Sequence, residues 1–287
     1  MKKTKIQVII PVYNSAETVG RCLDSLLMQT FEAWQALIID DGSIDNSENL
    51  IRQYVNKDER FVYRRMEKNG GASRARNAAL VMLTAKYVAF LDSDDTWESA
   101  MLERLYECAE KYGADVVQCG YEYVLPGGER LLPRPAFLDN VLLEGSDLKH
   151  VYWRMMTSIN LNHVCMKLIR TSVIEGLTFD PKLKTAEDLE FCIRMFGRVK
   201  SYYYTKEPLY NYYRSNSSLT GRGLPFREKL ASNRRVAKML AEALPGWGMN
   251  SIFYKTVVYI RPYIMMVLKA VRMYKEKTAV WKDKGAA

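Results

Sequence analysis

Residues 5–12 read Lys-Ile-Gln-Val-Ile-Ile-Pro-Val, an almost wholly apolar run rich in β-branched side chains. That is the pattern of a strand covered on both faces in a parallel sheet. Just after it, Val19, Cys22, Leu23, Leu26 and Leu27 recur at helical spacing, and Asn14 with Glu17 three positions on has the form of a capping box. Residues 36–40, Ala-Leu-Ile-Ile-Asp, read as a second strand. Asp45 and Glu48 open a short helix with Leu50, Ile51 and Tyr54 on one face, and residues 61–64 supply a third strand. Alternating strand and helix is therefore established early, which predicts an α/β fold with a mostly parallel, open, Rossmann-like sheet flanked by helices.

The pattern continues through a Gly70-Gly71 turn, a helix over 73–82, a short apolar strand opening at Tyr87, a helix over 97–112 and a strand over 115–123. After Val124 the stretch Leu-Pro-Gly-Gly-Glu-Arg-Leu-Leu-Pro-Arg-Pro reads as an excursion from the sheet. Regular signals resume with a helix over 146–157, a strand-like segment over 164–169, a helix over 187–196 and Tyr-rich strands over 199–213. From residue 223 the pattern is helical, which predicts a helical appendage over 223–287 after a first domain over 1–222.

Composition excludes several functions. Five cysteines, Cys22, Cys108, Cys119, Cys165 and Cys192, lack paired metal-ligand spacing and read as reduced core residues. Only two histidines, His150 and His163, are present, too few for a histidine-rich zinc site and little material for a Ser-His-Asp triad. A formal charge of +9 favours an anionic partner. The basic residues are spread along the chain and thicken only after Arg214, which argues against a nucleic-acid groove. With no long apolar stretch and no secretory-type N-terminus, the expected location is cytoplasmic.

In an open α/β sheet, ligands gather beyond the carboxyl ends of the strands. Here each such end is polar: Pro11-Val12-Tyr13-Asn14 after the first strand, Asp40-Asp41-Gly42-Ser43 after the second, and Asp92-Ser93-Asp94-Asp95 after the fourth. Clustered carboxylates suit a hard divalent cation, Mn²⁺ or Mg²⁺, whose remaining ligands are water and phosphate, so the implied ligand is a diphosphate. The competing reading is an acidic turn in which Asp95 or Thr96 caps the next helix. Lys68-Asn-Gly-Gly-Ala-Ser-Arg-Ala-Arg-Asn77 sets glycines ahead of a helix with Arg74 and Arg76 in its first turn, a place that favours anions.

Taken together, VIIPVYN, IIDDGSIDNS, KNGGASRARNAAL and YVAFLDSDDTW, in this order and spacing, resemble family 2 glycosyltransferases of the GT-A fold. The resemblance implies a nucleotide-sugar-binding half over 1–123 and an acceptor-binding half with a lid over 124–222. It implies a UDP-sugar donor held by Pro11, Tyr13, Glu17, Asp41, Gly71, Arg74, Arg76, Asp92, Ser93, Asp94 and Arg214. An Asp at a strand end can accept the uracil imide N–H, and Tyr13 can cover the base. Asp92 and Asp94 form the D-x-D pair, with Asp95 a third candidate metal ligand. Thr185-Ala-Glu-Asp-Leu-Glu-Phe191 resembles the family's E-D motif, which assigns catalysis to Glu187 and Asp188, with Asp188 as the base of an inverting transfer. Residues 210–220 resemble a lid, in which Arg214 either clamps the diphosphate or is an exposed basic residue. Lys167 lies in a segment similar to the family's N-K-L, with Met166 in place of Asn, and is left outside the site.

Residues 250–284 mix apolar and basic side chains, with Pro262 expected to break the helix. Such a stretch either lies on an anionic membrane as a peripheral contact or packs on the catalytic domain or on a second subunit of a homo-oligomer. The expected acceptor is a saccharide or lipid-linked saccharide of a bacterial surface glycan. The rival readings are a nucleotidyltransferase, which normally carries a basic Gly-rich loop where this chain has PVYNSAET, and a catalytically silent nucleotide-sugar-binding or membrane-associated module.

Overall fold

The computed structural model describes residues 3–158, 160–183, 186–214, 226–260 and 263–264. In chain order the elements are β1 (Ile6–Val12), α1 (Val19–Leu27), β2 (Trp34–Asp40), α2 (Ser47–Lys57), β3 (Phe61–Arg65), α3 (Ala72–Leu80), β4 (Tyr87–Phe90), β5 (Thr96–Trp97), α4 (Met101–Tyr112) and β6 (Val116–Val124). There follow β7 (Arg130–Leu131), β8 (Val141–Glu144), α5 (Leu148–Thr157), β9 (Lys167–Arg170), α6 (Thr171–Ile174), α7 (Glu187–Phe196), β10 (Ser201–Tyr213) and α8 (Phe226–Ala243).

One sheet runs in the order β3-β2-β1-β4-β9-β6-β10-β5, with β7 beside β6 and β8 beside β10. β1, β2, β3 and β4 pair in parallel, as do β6 and β10, whereas β9 runs antiparallel between β4 and β6. The apolar run of β1 is buried at every position, as a strand lined by helices on both faces should be. Leucine, cysteine and valine side chains of α1 are buried, the Tyr54 hydroxyl of α2 donates to the Gly20 carbonyl of α1, and Arg21 of α1 reaches the loop after β4.

Two local expectations are overturned. Asn14 and Glu17 form no capping box: α1 begins at Val19, Asn14 takes a left-handed backbone (φ 48°), its Oδ1 accepts the Ile44 N–H at 2.9 Å, and Glu17 is exposed. Asn tolerates that backbone better than most residues, and its amide is more useful tying the end of β1 to the loop after β2. Nor do Asp95 and Thr96 cap a helix at residue 97. Thr96 and Trp97 are extended as β5 against Asn211 and Tyr210 of β10, so the helix starts only at Met101. The strands β7 and β8 and the short helix α6 carry no periodicity long enough to be read in advance.

The chain divides into two compact units, Met1–Gly223 and Leu224–Ala287. The second contains α8 and a further helical stretch over 252–260 on which Ile252, Phe253, Tyr259 and Ile260 are exposed. The expected break at Pro262 and the basic tail beyond residue 264 lie outside the described residues, as do Thr185 and residues 215–220 of the lid segment. No helix of the described residues is long and apolar enough to cross a membrane.

Candidate active site

The three polar strand ends do converge. From the end of β1, the Asn14 N–H donates to Ser43 Oγ at 3.0 Å, the Ser15 N–H to Ser47 Oγ at 2.8 Å and the Ala16 N–H to Asp45 Oδ2 at 2.9 Å, so the loop after β2 is stitched to the loop after β1. Ser15 Oγ also shares a 2.8 Å hydrogen bond with Ser93 Oγ, which brings in the loop after β4. Pro11 is buried beneath this junction, and Tyr13 stands 46% exposed at its rim with Glu17.

Asp41 is almost fully buried, and its two oxygens accept the Gly70 and Gly71 N–H groups at 2.8 and 2.6 Å. The anion expected at the start of α3 is thus supplied from within the chain. Gly71 has φ 85°, a backbone that L side chains resist, which is why glycine sits where the chain turns into α3. Arg74 is exposed, and its stem lies over Gly70.

Arg76 follows a different course. Only 4% exposed, it donates through Nη2 to Asp92 Oδ1 at 2.9 Å and through Nη1 to Asp188 Oδ1 at 2.8 Å, and Glu187 Oε1 is 3.7 Å away. Burial works against the guanidinium charge, but Asp188 and Asp92 more than offset this and hold it protonated. Its neighbour Asn77 fixes the floor: the Asn77 amide donates to the Phe179 carbonyl at 2.9 Å, and Asn77 Oδ1 accepts the Phe179 N–H at 2.7 Å. Phe179 stacks on Phe191 of α7 at 4.1 Å, and Phe90 at the end of β4 meets both edge-on. This aromatic group rigidly links the strand that ends in Asp92 to the helix that starts with Glu187 and Asp188.

The loop Asp92-Ser93-Asp94-Asp95 is held at every residue, but by different means. Asp92 meets Arg76 and, weakly, the Cys165 thiol. At Asp94 the backbone carbonyl accepts Arg21 Nη2 at 2.6 Å, while Arg21 also stacks 4.0 Å over the Tyr213 ring. Asp95 is buried, and both its oxygens are engaged, Oδ2 by the Tyr210 hydroxyl at 2.6 Å and Oδ1 by the Tyr213 N–H at 2.9 Å. The Asp94 carboxylate has no hydrogen-bonding side-chain partner among the described residues. Burial, and then the charge of Asp92, push its pKa up.

A cation would relieve that repulsion, and the geometry says how many protein ligands it would find. Among the described residues no three His, Cys, Asp or Glu side chains are grouped to hold a metal ion. Two acidic side chains, Asp92 and Asp94, with Asp95 turned toward β10, suit a cation that draws its other ligands from water and a bound diphosphate.

At the start of α7, Asp188 Oδ2 lies 3.4 Å from the Val164 N–H, and the Glu187 carboxyl is pushed up by burial and by Asp188. The backbone before Glu187 is left-handed at Ala186, φ 64°. Below, Lys167 is fully buried and donates to the His163 carbonyl; burial pulls both the Lys167 and the His163 pKa down. Met166 beside it has φ 65°, the left-handed backbone that Asn, expected at this position in the family, adopts more easily. Arg214 is half-buried and stacks 4.0 Å over the Tyr123 ring, itself edge-on to Tyr121 and Tyr212. All five cysteines are free thiols.

Sequence reasoning had singled out none of Ser15, Arg21, Asn77, Cys165 and Phe179. Each makes a hydrogen bond across 73 to 102 positions of chain, and no local spacing marks it.

This architecture is a GT-A fold. Solved structures of TarS from Staphylococcus aureus superpose with a TM-score of 0.70 at 20% identity, covering 91% of this chain and 71% of that one; for the form in complex with UDP-GlcNAc the values are 0.69, 21%, 90% and 79%. Residues 7–177 match glycosyl transferase family 2, and the chain belongs to that family. It is similar to the uncharacterized glycosyltransferase EpsJ of Bacillus subtilis strain 168, 30% identical over 217 residues, which cover 75% of this chain and 62% of EpsJ. The poly(ribitol-phosphate) beta-N-acetylglucosaminyltransferase TarP of Staphylococcus aureus strain N315 is 32% identical over 205 residues, covering 69% of this chain and 59% of TarP. The chain thus spans about three fifths of the length of these relatives.

Proposed function

We propose that this chain is an inverting glycosyltransferase that moves a sugar from a UDP-sugar to a hydroxyl of a glycan or lipid-linked saccharide in cell-surface glycan synthesis. The observation that carries the reading is the meeting of Asp92 and Asp188 on one buried guanidinium, which sets a donor carboxylate and an acceptor carboxylate at one crevice. Family membership, and the UDP and UDP-GlcNAc bound by structural neighbours, support the donor class. The names of relatives such as TarP support the acceptor class.

In this reading the nucleotide lies over Pro11 and Tyr13, with Asp41 holding the Gly70-Gly71 turn beside it. Asp94, with Asp92, holds Mn²⁺ or Mg²⁺, which when bound neutralises charge developing on the departing diphosphate. Arg74 and Arg214 add positive charge at the phosphates. Asp188 accepts the proton of the attacking hydroxyl, which approaches the anomeric carbon from the face opposite the nucleotide. Its Oδ1 lies 2.8 Å from Arg76 Nη1 and its Oδ2 3.4 Å from the Val164 N–H. Asp95 serves to anchor the loop to β10.

A thermal-shift panel of nucleotide sugars, each with Mn²⁺ and with chelator, on wild type and Asp94→Ala tests this. Donor binding stabilises the folded state by mass action. The reading expects a Mn²⁺-dependent upward shift for a UDP-sugar, lost in the variant. No shift with any nucleotide sugar, in a folded protein, overturns it in favour of a silent module.

A further inference from the structure

Asp92, Glu187 and Asp188 arrive from β4 and from α7, and all three face the single guanidinium of Arg76, which sits on the Phe179 ring with its centre 5.3 Å from the ring centroid. The guanidinium is buried, and its Nε has no partner among the described residues. Three partly exposed carboxylates gathered round one buried cation behave as a site already filled.

We propose that Arg76 is a positioning residue that acts as a built-in counter-cation. It holds Asp92 and Asp188 on one rigid planar fork, and so keeps a divalent cation from binding these carboxylates in the absence of the donor's diphosphate. The proposal rests on the donor-site reading above, because it assumes that the cation's natural position is at Asp94 and Asp92 with the diphosphate. Planar, two-pronged geometry matters: the guanidinium presents its N–H donors in a rigid fork aimed at two elements, whereas an ammonium is a point charge on a flexible stem. The surroundings are built for it. Asn77 pins Phe179 from the residue next to Arg76, and Phe179 in turn packs on the helix that carries Asp188. A cation bound across Asp92 and Asp188 without nucleotide would occupy the base and leave the donor carboxylate misplaced. Arg76 forestalls that state.

This makes a prediction opposite in sign to that of a purely structural arginine. Removing a structural arginine loosens the site and weakens every ligand. Removing a counter-cation leaves three carboxylates for a metal to fill.

The test is calorimetric titration of the full chain with Mn²⁺ alone, and with UDP in the presence of Mn²⁺, for wild type, Asp188→Asn, Arg76→Met and the double variant. Arg76→Met is expected to bind Mn²⁺ alone about tenfold more tightly than wild type. Asp188→Asn is expected to cancel most of that gain in the Arg76→Met background and to change Mn²⁺ binding little in the wild-type background, a non-additivity of fixed sign. Unchanged or weaker Mn²⁺ binding by Arg76→Met overturns the proposal, as does an Asp188→Asn effect equal in both backgrounds. Should Arg76→Met fail to fold, Arg76→Lys, whose flexible ammonium lacks the rigid fork, is expected to show a smaller gain in the same direction, and no gain overturns the proposal. Failure of wild type to bind UDP in a Mn²⁺-dependent way overturns the donor-site reading instead, whatever the Arg76 variants do.

Discussion

Arg76 Nη1 lies 2.8 Å from Asp188 Oδ1, across 112 positions of sequence. The contact joins the second turn of α3 to the first turn of α7, and through Nη2 the same side chain reaches Asp92 just beyond β4. The loop after β4, α3 and the start of α7 therefore share one charge cluster.

If Asp188 takes the acceptor's proton, Asp188→Asn loses the base and keeps the shape. Transfer from the donor found in the thermal-shift panel is expected to fall about 10²- to 10⁴-fold. UDP binding measured by calorimetry is expected to stay near the wild-type value. A variant with unchanged turnover sinks the assignment.

Asp94 and Asp95 are adjacent but differently employed, which separates their variants. Asp94→Asn is expected to lose the Mn²⁺-dependent part of UDP binding. Asp95→Asn is expected to keep it, because both Asp95 oxygens face Tyr210 and Tyr213. Tyr210→Phe instead costs stability, about 1–3 kcal/mol, since it strips a donor from a buried carboxylate. Urea unfolding measures the last, and a titration with UDP and Mn²⁺ the first two.

Acidification acts on His163, whose pKa is lowered from its usual 6.5 chiefly by burial, with Lys167 and Arg76 on the same side and Asp188 and Asp92 opposing. The unfolded chain binds this proton more readily than the folded one. The associated stability is complete above 6.5 and is lost as pH falls through 6.5 toward the depressed value, by about 1.4 kcal/mol per unit of depression. Glu187 has the opposite slope, because its raised carboxyl takes up a proton in the folded state first. Comparison of wild type with His163→Gln isolates the histidine: between pH 7.5 and 5.5 the variant is expected to lose less unfolding free energy.

Ala186 sits at φ 64°, ψ 20° immediately before the acidic turn of α7. A left-handed backbone costs an L residue about 1–2 kcal/mol that glycine does not incur. After glycine's greater freedom in the unfolded chain is subtracted, Ala186→Gly is expected to stabilise by several tenths of a kcal/mol, and Ala186→Val to destabilise by about 1 kcal/mol or more. Thermal unfolding of both variants checks the pair of signs.

The alternation of apolar strand and amphipathic helix was legible because burial on a sheet face leaves a short-range period in the chain. The run 5–12 announced β1, and the carboxylates at 92–95 announced a polar end to β4. What such periods cannot show is pairing. That β9 slips antiparallel between β4 and β6 depends on contacts between distant strands. The two misread helix starts share that cause: Asn14 and Thr96 are drawn to partners distant in the chain, Ile44 in the loop after β2 and Asn211 on β10, rather than to the helices that follow them.

By itself the sequence determined the α/β class, the order of the early elements and the residue types gathered at each strand end, since all of these follow from local periodicity and composition. Only the tertiary structure decided what those residues do. It turned Asp41 to the backbone of Gly70 and Gly71, Asp95 to β10 and Arg76 inward to two acids, leaving Asp94 without a side-chain partner among the described residues. The physical reason is that a charge in a buried crevice must find its counterpart in space, and the partner it finds is set by packing rather than by distance along the chain.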